Sequence, residues 1–141
     1  MRPAVETDAL KIHALIRQVG INPTGLEWRR FVVAEAQDGT FIGCGQLKPH
    51  GDGSIELASL AVVESYRGQG VARAIVEHLL AKSSRPVYLM CRPELETFYT
   101  RFGFRVSGLD ELPAYYRRIR RLVRAMGFLI GREGPLIMRL D

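Results

Sequence analysis

Glu56 stands inside the apolar run Ser54 to Val63, and an acid there is costly unless it is paired, solvated through a cleft or shifted in pKa. A partly desolvated carboxylate can take a proton from an ammonium group, directly or through water. It can equally be an edge acid in a salt bridge with one of the arginines, and both readings stay open. Next comes Arg67-Gly68-Gln69-Gly70-Val71-Ala72, which leads into an apolar stripe at helical spacing: Val71, Ala72, Ile75, Val76, Leu79 and Leu80. A helix starting at about Gln69 leaves N–H groups unpaired beside a partial positive charge, which suits a pyrophosphate. Gly68 and Gly70 leave room for such an anion and Arg67 adds charge, although a plain tight turn has the same glycine content. Tyr99 offers a phenol that can protonate a thiolate held within hydrogen-bond reach. It also falls on an apolar stripe with Leu95, Phe98 and Phe102, so packing explains it too.

Other reactive side chains carry less. Cys44 and Cys91 each lie in an apolar segment, with no CxxC pair and no metal-ligand spacing, and read as buried free thiols. Arg92 beside Cys91 leaves a thiolate role open. His13, His50 and His78 fall on a helix, a turn and the surface side of a helix, and are read as solvated. Ser59 either fills space in a strand or sets a hydroxyl near an acceptor. No metal site is predicted.

Several elements must position these groups. Thr7 and Asp8 are capping-type residues ahead of Ile12, Leu15, Ile16 and Val19, with Gly20 as a stop, which predicts a first helix. Ile21 to Glu27 reads as a loop or short helical turn that can lie over a substrate site. Strand-like runs from Arg30 to Ala36 and Thr40 to Leu47 flank Asp38-Gly39, a hairpin signal. The second run turns at Pro49-His50-Gly51-Asp52-Gly53 into Ser54 to Val63, which predicts a three-stranded antiparallel meander. Val87 to Cys91 is a short buried strand, Pro93 suits a first helical turn, and Gly103 suits the left-handed residue after a helix end. A strand over Phe104 to Ser107 follows. Leu112 to Met126 reads as an amphipathic helix with Leu112, Tyr115, Tyr116, Ile119, Leu122, Val123 and Met126 on its apolar side. Gly127, Gly131 and Gly134-Pro135 then punctuate the approach to a last strand, Leu136 to Leu140.

Composition sets the frame. A chain of 141 residues, 47% hydrophobic and 25% charged, has the length and apolar content of a single domain, 1–141. No apolar stretch approaches the roughly 18 residues of a membrane span, and the first residues lack a signal-peptide run, so a soluble, cytoplasmic protein is expected, without a membrane partner. The formal charge of +5 is local: five of the 20 Lys and Arg lie at 117, 118, 120, 121 and 124, and the other 15 balance the 15 Asp and Glu. Such a face can be solvated or can meet an acidic partner, an acidic acceptor or the cofactor's 3'-phosphate; nucleic acid is disfavoured because Tyr115 and Tyr116 sit on the packing stripe.

Two strings carry a family resemblance. Leu57-Ala58-Ser59-Leu60-Ala61-Val62 followed by Tyr66-Arg67-Gly68-Gln69-Gly70-Val71-Ala72 resembles the acetyl-CoA signature of the GNAT superfamily of N-acetyltransferases, with Arg67, Gly70 and Ala72 at its fixed positions. Phe98-Tyr99-Thr100-Arg101-Phe102-Gly103-Phe104 resembles the family's helix-to-strand segment. The resemblance implies an α/β fold of α+β type: a mixed, mostly antiparallel sheet of six or seven strands, helices on both faces and a splayed central strand pair. It implies acetyl-CoA as co-substrate, with its arm bound by backbone groups of Leu60, Ala61 and Val62 and its pyrophosphate by Arg67, Gly68, Gln69, Gly70, Val71 and Ala72. By the same resemblance Glu56 is the general base, Tyr99 the general acid, and backbone N–H of Val62 and its neighbours holds the oxyanion. The acceptor is then a primary amine of a small molecule or protein, attacking directly in a ternary complex, and a homodimer is allowed. The alternative is a non-catalytic acyl-CoA sensor docking on an acidic partner through the basic helix. Two departures stand out: Arg92-Pro93 where many relatives carry an Asn, and the helix inserted before the last strand.

Overall fold

The computed structural model describes residues 1–130 and 134–141; Gly131, named above as a turn residue, lies outside the described residues. The elements run β1 (Arg2–Pro3), α1 (Ala9–Val19), β2 (Phe31–Glu35), β3 (Phe41–Pro49), β4 (Ile55–Val62), α2 (Val71–Lys82), β5 (Val87–Cys91), α3 (Glu96–Thr100), β6 (Arg105–Val106), α4 (Ala114–Ile130) and β7 (Leu136–Leu140). The strands form a seven-stranded sheet in the order β1-β2-β3-β4-β5-β7-β6. Pairing is antiparallel for β1/β2, β2/β3, β5/β7 and β6/β7, and parallel for β4/β5, whose ladder holds the pairs Ile55–Val87 and Glu56–Tyr88. The mixed, mostly antiparallel α/β sheet expected from the sequence is therefore present. The chain packs as two compact units, one of residues 1–48 and 57–84 and one of residues 49–56 and 85–141.

In the first unit, α1 buries Ile12, Leu15 and Ile16 in a cluster with Phe31, Val33, Cys44 and Ala61. Gly20 ends it in the left-handed region (φ +81°), donating its N–H to Ile16 O at 3.0 Å. The start differs from expectation. A 3-10 turn, Glu6–Asp8, precedes α1, and the Asp8 carboxylate accepts from Val5 N–H at 2.7 Å and pairs with Arg2 at 2.7 Å instead of capping the helix. Helix α2 buries Ile75, Val76, Leu79 and Leu80. It lies close to β3: a Cβ on Gly45 would stand 2.8 Å from Ile75 Cγ2 and 3.2 Å from Leu79 Cδ1, which accounts for glycine in mid-strand.

In the second unit, β5 pairs along its whole length with β7, from Val87–Leu140 to Cys91–Leu136. Tyr88, Leu112, Tyr116 and Ile137 form the core beneath α4. That helix starts at Ala114, after a 3-10 turn at Leu109–Glu111, and continues through Gly127 to Ile130, beyond the expected end at Met126. A glycine costs a helix interior only about 1 kcal/mol, so it does not by itself stop one. Leu122 and Met126 are 64% and 55% exposed although they share the sequence stripe. At 3.6 residues per turn they sit roughly 120° and 80° around the axis from buried Tyr116, on the flank of the packed face. The helix expected around Leu95–Phe102 is a 3-10 turn, Pro93–Leu95, followed by the short α3. Gly103 is left-handed (φ +98°) as anticipated, and of Phe104–Ser107 only Arg105–Val106 is strand.

Candidate functional site

The first site is the opening of α2. From the end of β4 the chain makes a 3-10 turn at Glu64–Tyr66 and reaches Gly68 and Gly70, both left-handed at φ +76° and +82°. A left-handed Gly70 cannot belong to a right-handed helix, so α2 begins at Val71 and not at Gln69. The first bond into the helix runs from Ala74 N–H to Gly70 O at 3.0 Å, leaving the N–H groups of Val71, Ala72 and Arg73 without helical partners. No side chain caps them. A Cβ on Gly68 or Gly70 would meet nothing within 4 Å, so these glycines answer a backbone requirement and face open space. Arg67 is exposed, with its Nε donating to Val62 O at 3.2 Å, so its stem is anchored to the end of β4. Three open N–H groups, a helix N-terminus and a fixed guanidinium fit an anion such as a pyrophosphate.

The strand leading there is irregular at Ser59, which is left-handed at φ +57°. A non-glycine residue in that region costs about 1 to 3 kcal/mol unless its surroundings hold it. Gln46 supplies the hold. Fully buried in β3, it donates from Nε2 to Ser59 Oγ at 2.8 Å and to Gly25 O at 3.2 Å, while its Oε1 is buried without a partner. The Ser59 hydroxyl oxygen is thus an acceptor for Gln46. Leu60 is half-buried, and Ala61 and Val62 are buried. The carbonyl of Val62 is taken by Arg67.

The second site gathers around Glu56, which is 8% exposed. Its partner is no arginine. Glu56 Oε1 lies 2.7 Å from His50 Nε2, and both side chains are about nine-tenths buried. His50 is therefore not the solvated turn residue that the sequence suggested. Its ring stacks on Tyr115 at 3.6 Å between centroids and 18° between planes, and meets Tyr116 edge-on at 5.9 Å. The turn is fixed from both sides: His50 N–H donates to Ser54 O at 2.9 Å, and Asp52 Oδ2 accepts the Tyr115 N–H of the first turn of α4 at 3.0 Å. The Ser54 hydroxyl, then the Tyr115 N–H and the Ser54 N–H, hold the Asp52 carboxyl down at about 2. Burial, followed by the Glu56 charge, raises the phenols of Tyr115 and Tyr116 above their usual range. The Tyr116 hydroxyl is buried and unpartnered, a condition that costs about 1 to 3 kcal/mol.

Tyr99, in α3, is 7% exposed and packs edge-on against Phe98 and Phe104. Burial holds its phenol well above the usual range, and its hydroxyl makes no hydrogen bond among the described residues. Both cysteines are buried free thiols, as expected; burial pushes Cys44 up to about 12 and Cys91 up to about 11, with Glu96 and Glu94 adding to the latter. Arg92 leaves no trace of thiolate activation. His13 is exposed, but His78 is half-buried with Nε2 sealed and unpartnered, and burial lowers its pKa. The described residues contain no cluster of three or more His, Cys, Asp or Glu able to hold a metal, and no helix long and apolar enough to cross a membrane. Sequence reasoning missed His50, Asp52 and Gln46. For the first two the partner, Tyr115, lies far along the chain, so no local signal records it.

Comparison with known proteins adds a third line. The profile described as Acetyltransferase (GNAT) domain matches residues 27–106, a span that holds Glu56, Arg67 to Ala72 and Tyr99. The chain is similar to N-acetylglutamate synthase from Neisseria gonorrhoeae, solved with coenzyme A and N-acetyl-glutamate, at 23% identity and a TM-score of 0.77. That match covers 99% of this chain and 34% of the other, so the chain spans about a third of that enzyme's length. Rv2747 from Mycobacterium tuberculosis, in complex with CoA and NLQ, is similar at 22% identity and a TM-score of 0.73, over 99% of this chain and 96% of that one. Glucosamine-6-phosphate N-acetyltransferase from Arabidopsis thaliana matches at 17% identity and a TM-score of 0.57, over 75% and 91%. At these identities the likeness is one of fold.

Proposed function

This chain belongs to the GNAT acetyltransferase family, and on that footing we propose that it transfers the acetyl group of acetyl-CoA to a primary amine, preferentially on a small molecule. The observation that carries the proposal is the open start of α2, where Gly68, Gly70 and the free N–H groups of Val71 and Ala72 make an anion cradle inside the matched span. Arg67 and Gln69 complete its rim, and backbone groups of Leu60, Ala61 and Val62 take the arm of the co-substrate. Glu56, with the His50 bonded to it, handles the proton of the incoming ammonium. Tyr99, held in its protonated form by burial, donates to the departing sulfur. Backbone N–H near Val62 holds the oxyanion.

The test is release of free thiol from acetyl-CoA by the pure protein over a panel of amines. The panel includes glutamate, because N-acetyl-glutamate is bound in a similar structure, and also polyamines, an amino sugar and a peptide with a free N-terminus. Thiol release with at least one amine is the expected result, and none with any amine refutes the proposal. A second reading, a non-catalytic acyl-CoA-binding protein that docks on an acidic partner, is favoured by one feature: Arg117, Arg118, Arg121 and Arg124 are exposed along α4. Tight acetyl-CoA binding without turnover is its signature.

A further inference from the structure

Ser59 is the one non-glycine residue with a left-handed backbone among the described residues. It stands immediately before Leu60, Ala61 and Val62, the stretch to which the proposed function gives the arm of the co-substrate. A single left-handed residue re-aims every N–H and C=O that follows it in a strand, because successive residues alternate with a period of two. Past Ser59 the alternation is regular. Leu60 reaches toward α2, its Cδ1 3.6 Å from where a Cβ on Gly45 would stand, and Ala61 lies in the α1 cluster with Ile12 and Ile16. Both ends of the stretch are pinned by side chains. Gln46 Nε2 donates to Ser59 Oγ at 2.8 Å, and Arg67 Nε donates to Val62 O at 3.2 Å.

Gln46 is an unfavourable residue to bury for packing alone. It is fully buried, and Nε2 faces two acceptors, Ser59 Oγ and the Gly25 carbonyl oxygen at 3.2 Å. A carbonyl can only accept, so this contact fixes which end of the amide is the nitrogen and leaves Oε1 sealed without a partner. An apolar side chain of similar size would avoid that unpaired acceptor. What an apolar side chain cannot supply is the N–H that holds Ser59.

We infer that Gln46 is a positioning residue for acetyl-CoA. Through the Ser59 hydroxyl it holds the left-handed turn in β4, so that the backbone groups of Leu60 to Val62 are aimed before the co-substrate arrives. The inference rests on the acetyltransferase reading above and concerns only its donor half. Without the hold, residue 59 relaxes toward the extended conformation, and affinity falls with the fraction of molecules that keep the left-handed form. The strain usual for a non-glycine residue there corresponds to a loss of about 5- to 150-fold.

The test is the Kd for acetyl-CoA, by calorimetry, of the wild type, Gln46→Leu, Ser59→Ala, Ser59→Gly and the double variant Gln46→Leu/Ser59→Gly, with thermal unfolding as the check that each is folded. Gln46→Leu and Ser59→Ala are expected to bind about 5- to 150-fold more weakly. Ser59→Gly lacks the same hydroxyl, yet it should stay within about threefold of the wild type, because glycine adopts the left-handed region unaided. In that background the added Gln46→Leu should change Kd by less than about threefold, for the same reason. Wild-type affinity in Gln46→Leu or Ser59→Ala overturns the inference. So does Ser59→Gly as weak as Ser59→Ala, which marks the hydroxyl itself as the ligand contact, or a double variant as weak as Gln46→Leu, which marks Gln46 as packing. If Gln46→Leu does not fold, the comparison of Ser59→Ala with Ser59→Gly decides alone. Any of these results with acetyl-CoA bound by the wild type removes this inference and leaves the donor reading. No acetyl-CoA binding by the wild type removes the donor reading, and this inference with it.

Discussion

Tyr99 illustrates how environment selects one role from the several a side chain allows. Its phenol lies among Phe98, Phe104 and Cys91, and burial holds it above its ordinary value near 10, so it stays protonated throughout the assayable range, as the proposed role of proton donor requires. Replacing Tyr99 with Phe is predicted to lower kcat about 100-fold and to leave the Kd for acetyl-CoA within about twofold, checked by steady-state kinetics and calorimetry. In the wild type, activity should show no alkaline decline from this group below about pH 10. Gly70→Ala is predicted to weaken acetyl-CoA binding measurably and to destabilise the fold by about 1 to 2 kcal/mol, because φ +82° is unfavourable for an L residue; denaturant unfolding and calorimetry report the two effects. Glu56 was legible from sequence because an acid interrupts an apolar run. His50 was not, because turn residues such as Pro49 and Gly51 suggest exposure, and the ring that buries it comes from Tyr115, far along the chain.

At the scale of elements, α4 is joined to the turn after β3 by the His50 ring and by the Asp52 carboxylate. Asp52 caps it across the sequence, accepting the Tyr115 N–H while its other oxygen holds Ser54. Asp52→Ala is predicted to cost about 0.5 to 1 kcal/mol in denaturant unfolding, the low end for a cap because the residue is exposed. The pH dependence follows from the lowered carboxyl. Its contribution is complete above the unfolded value of 3.8 and disappears as pH falls through about 2, so the variant should converge with the wild type in strong acid. Because Tyr115 stacks on His50, the same substitution should also lower kcat/KM. Periodicity made the strands from β2 onward and α2 legible, to within a residue or two, whereas the two-residue β1 is too short to show a period. The helix ends were less so: Gly70 moved the start of α2 and Gly127 failed to end α4, since a glycine stops a helix only where the chain turns left-handed. The cap itself was invisible, because nothing local to Asp52 records that its partner lies in α4.

For the molecule as a whole, the testable quantity is linkage between donor binding and stability. Acetyl-CoA at about 100 times its Kd is predicted to add about 2.7 kcal/mol, raising Tm by roughly 5 to 10 °C for a chain of this length, read by thermal unfolding with desphospho-coenzyme A as the comparison ligand. A shift of under about 1 °C would count against the cradle at 67–72. The family was legible in the sequence because its donor signature is contiguous; the acceptor was not, because no contiguous motif records it. His50 and Asp52 lie on the turn between β3 and β4, and Glu56 is the second residue of β4, so the three fall in one short stretch of chain. Under the proposed function, the groups that handle the proton therefore precede the donor cradle at 67–72 along the chain. A change in the length of that turn is therefore expected to pull His50 away from Glu56, which keeps its place beside Tyr88 in the β4/β5 ladder, while the turn at 67–70 is left alone.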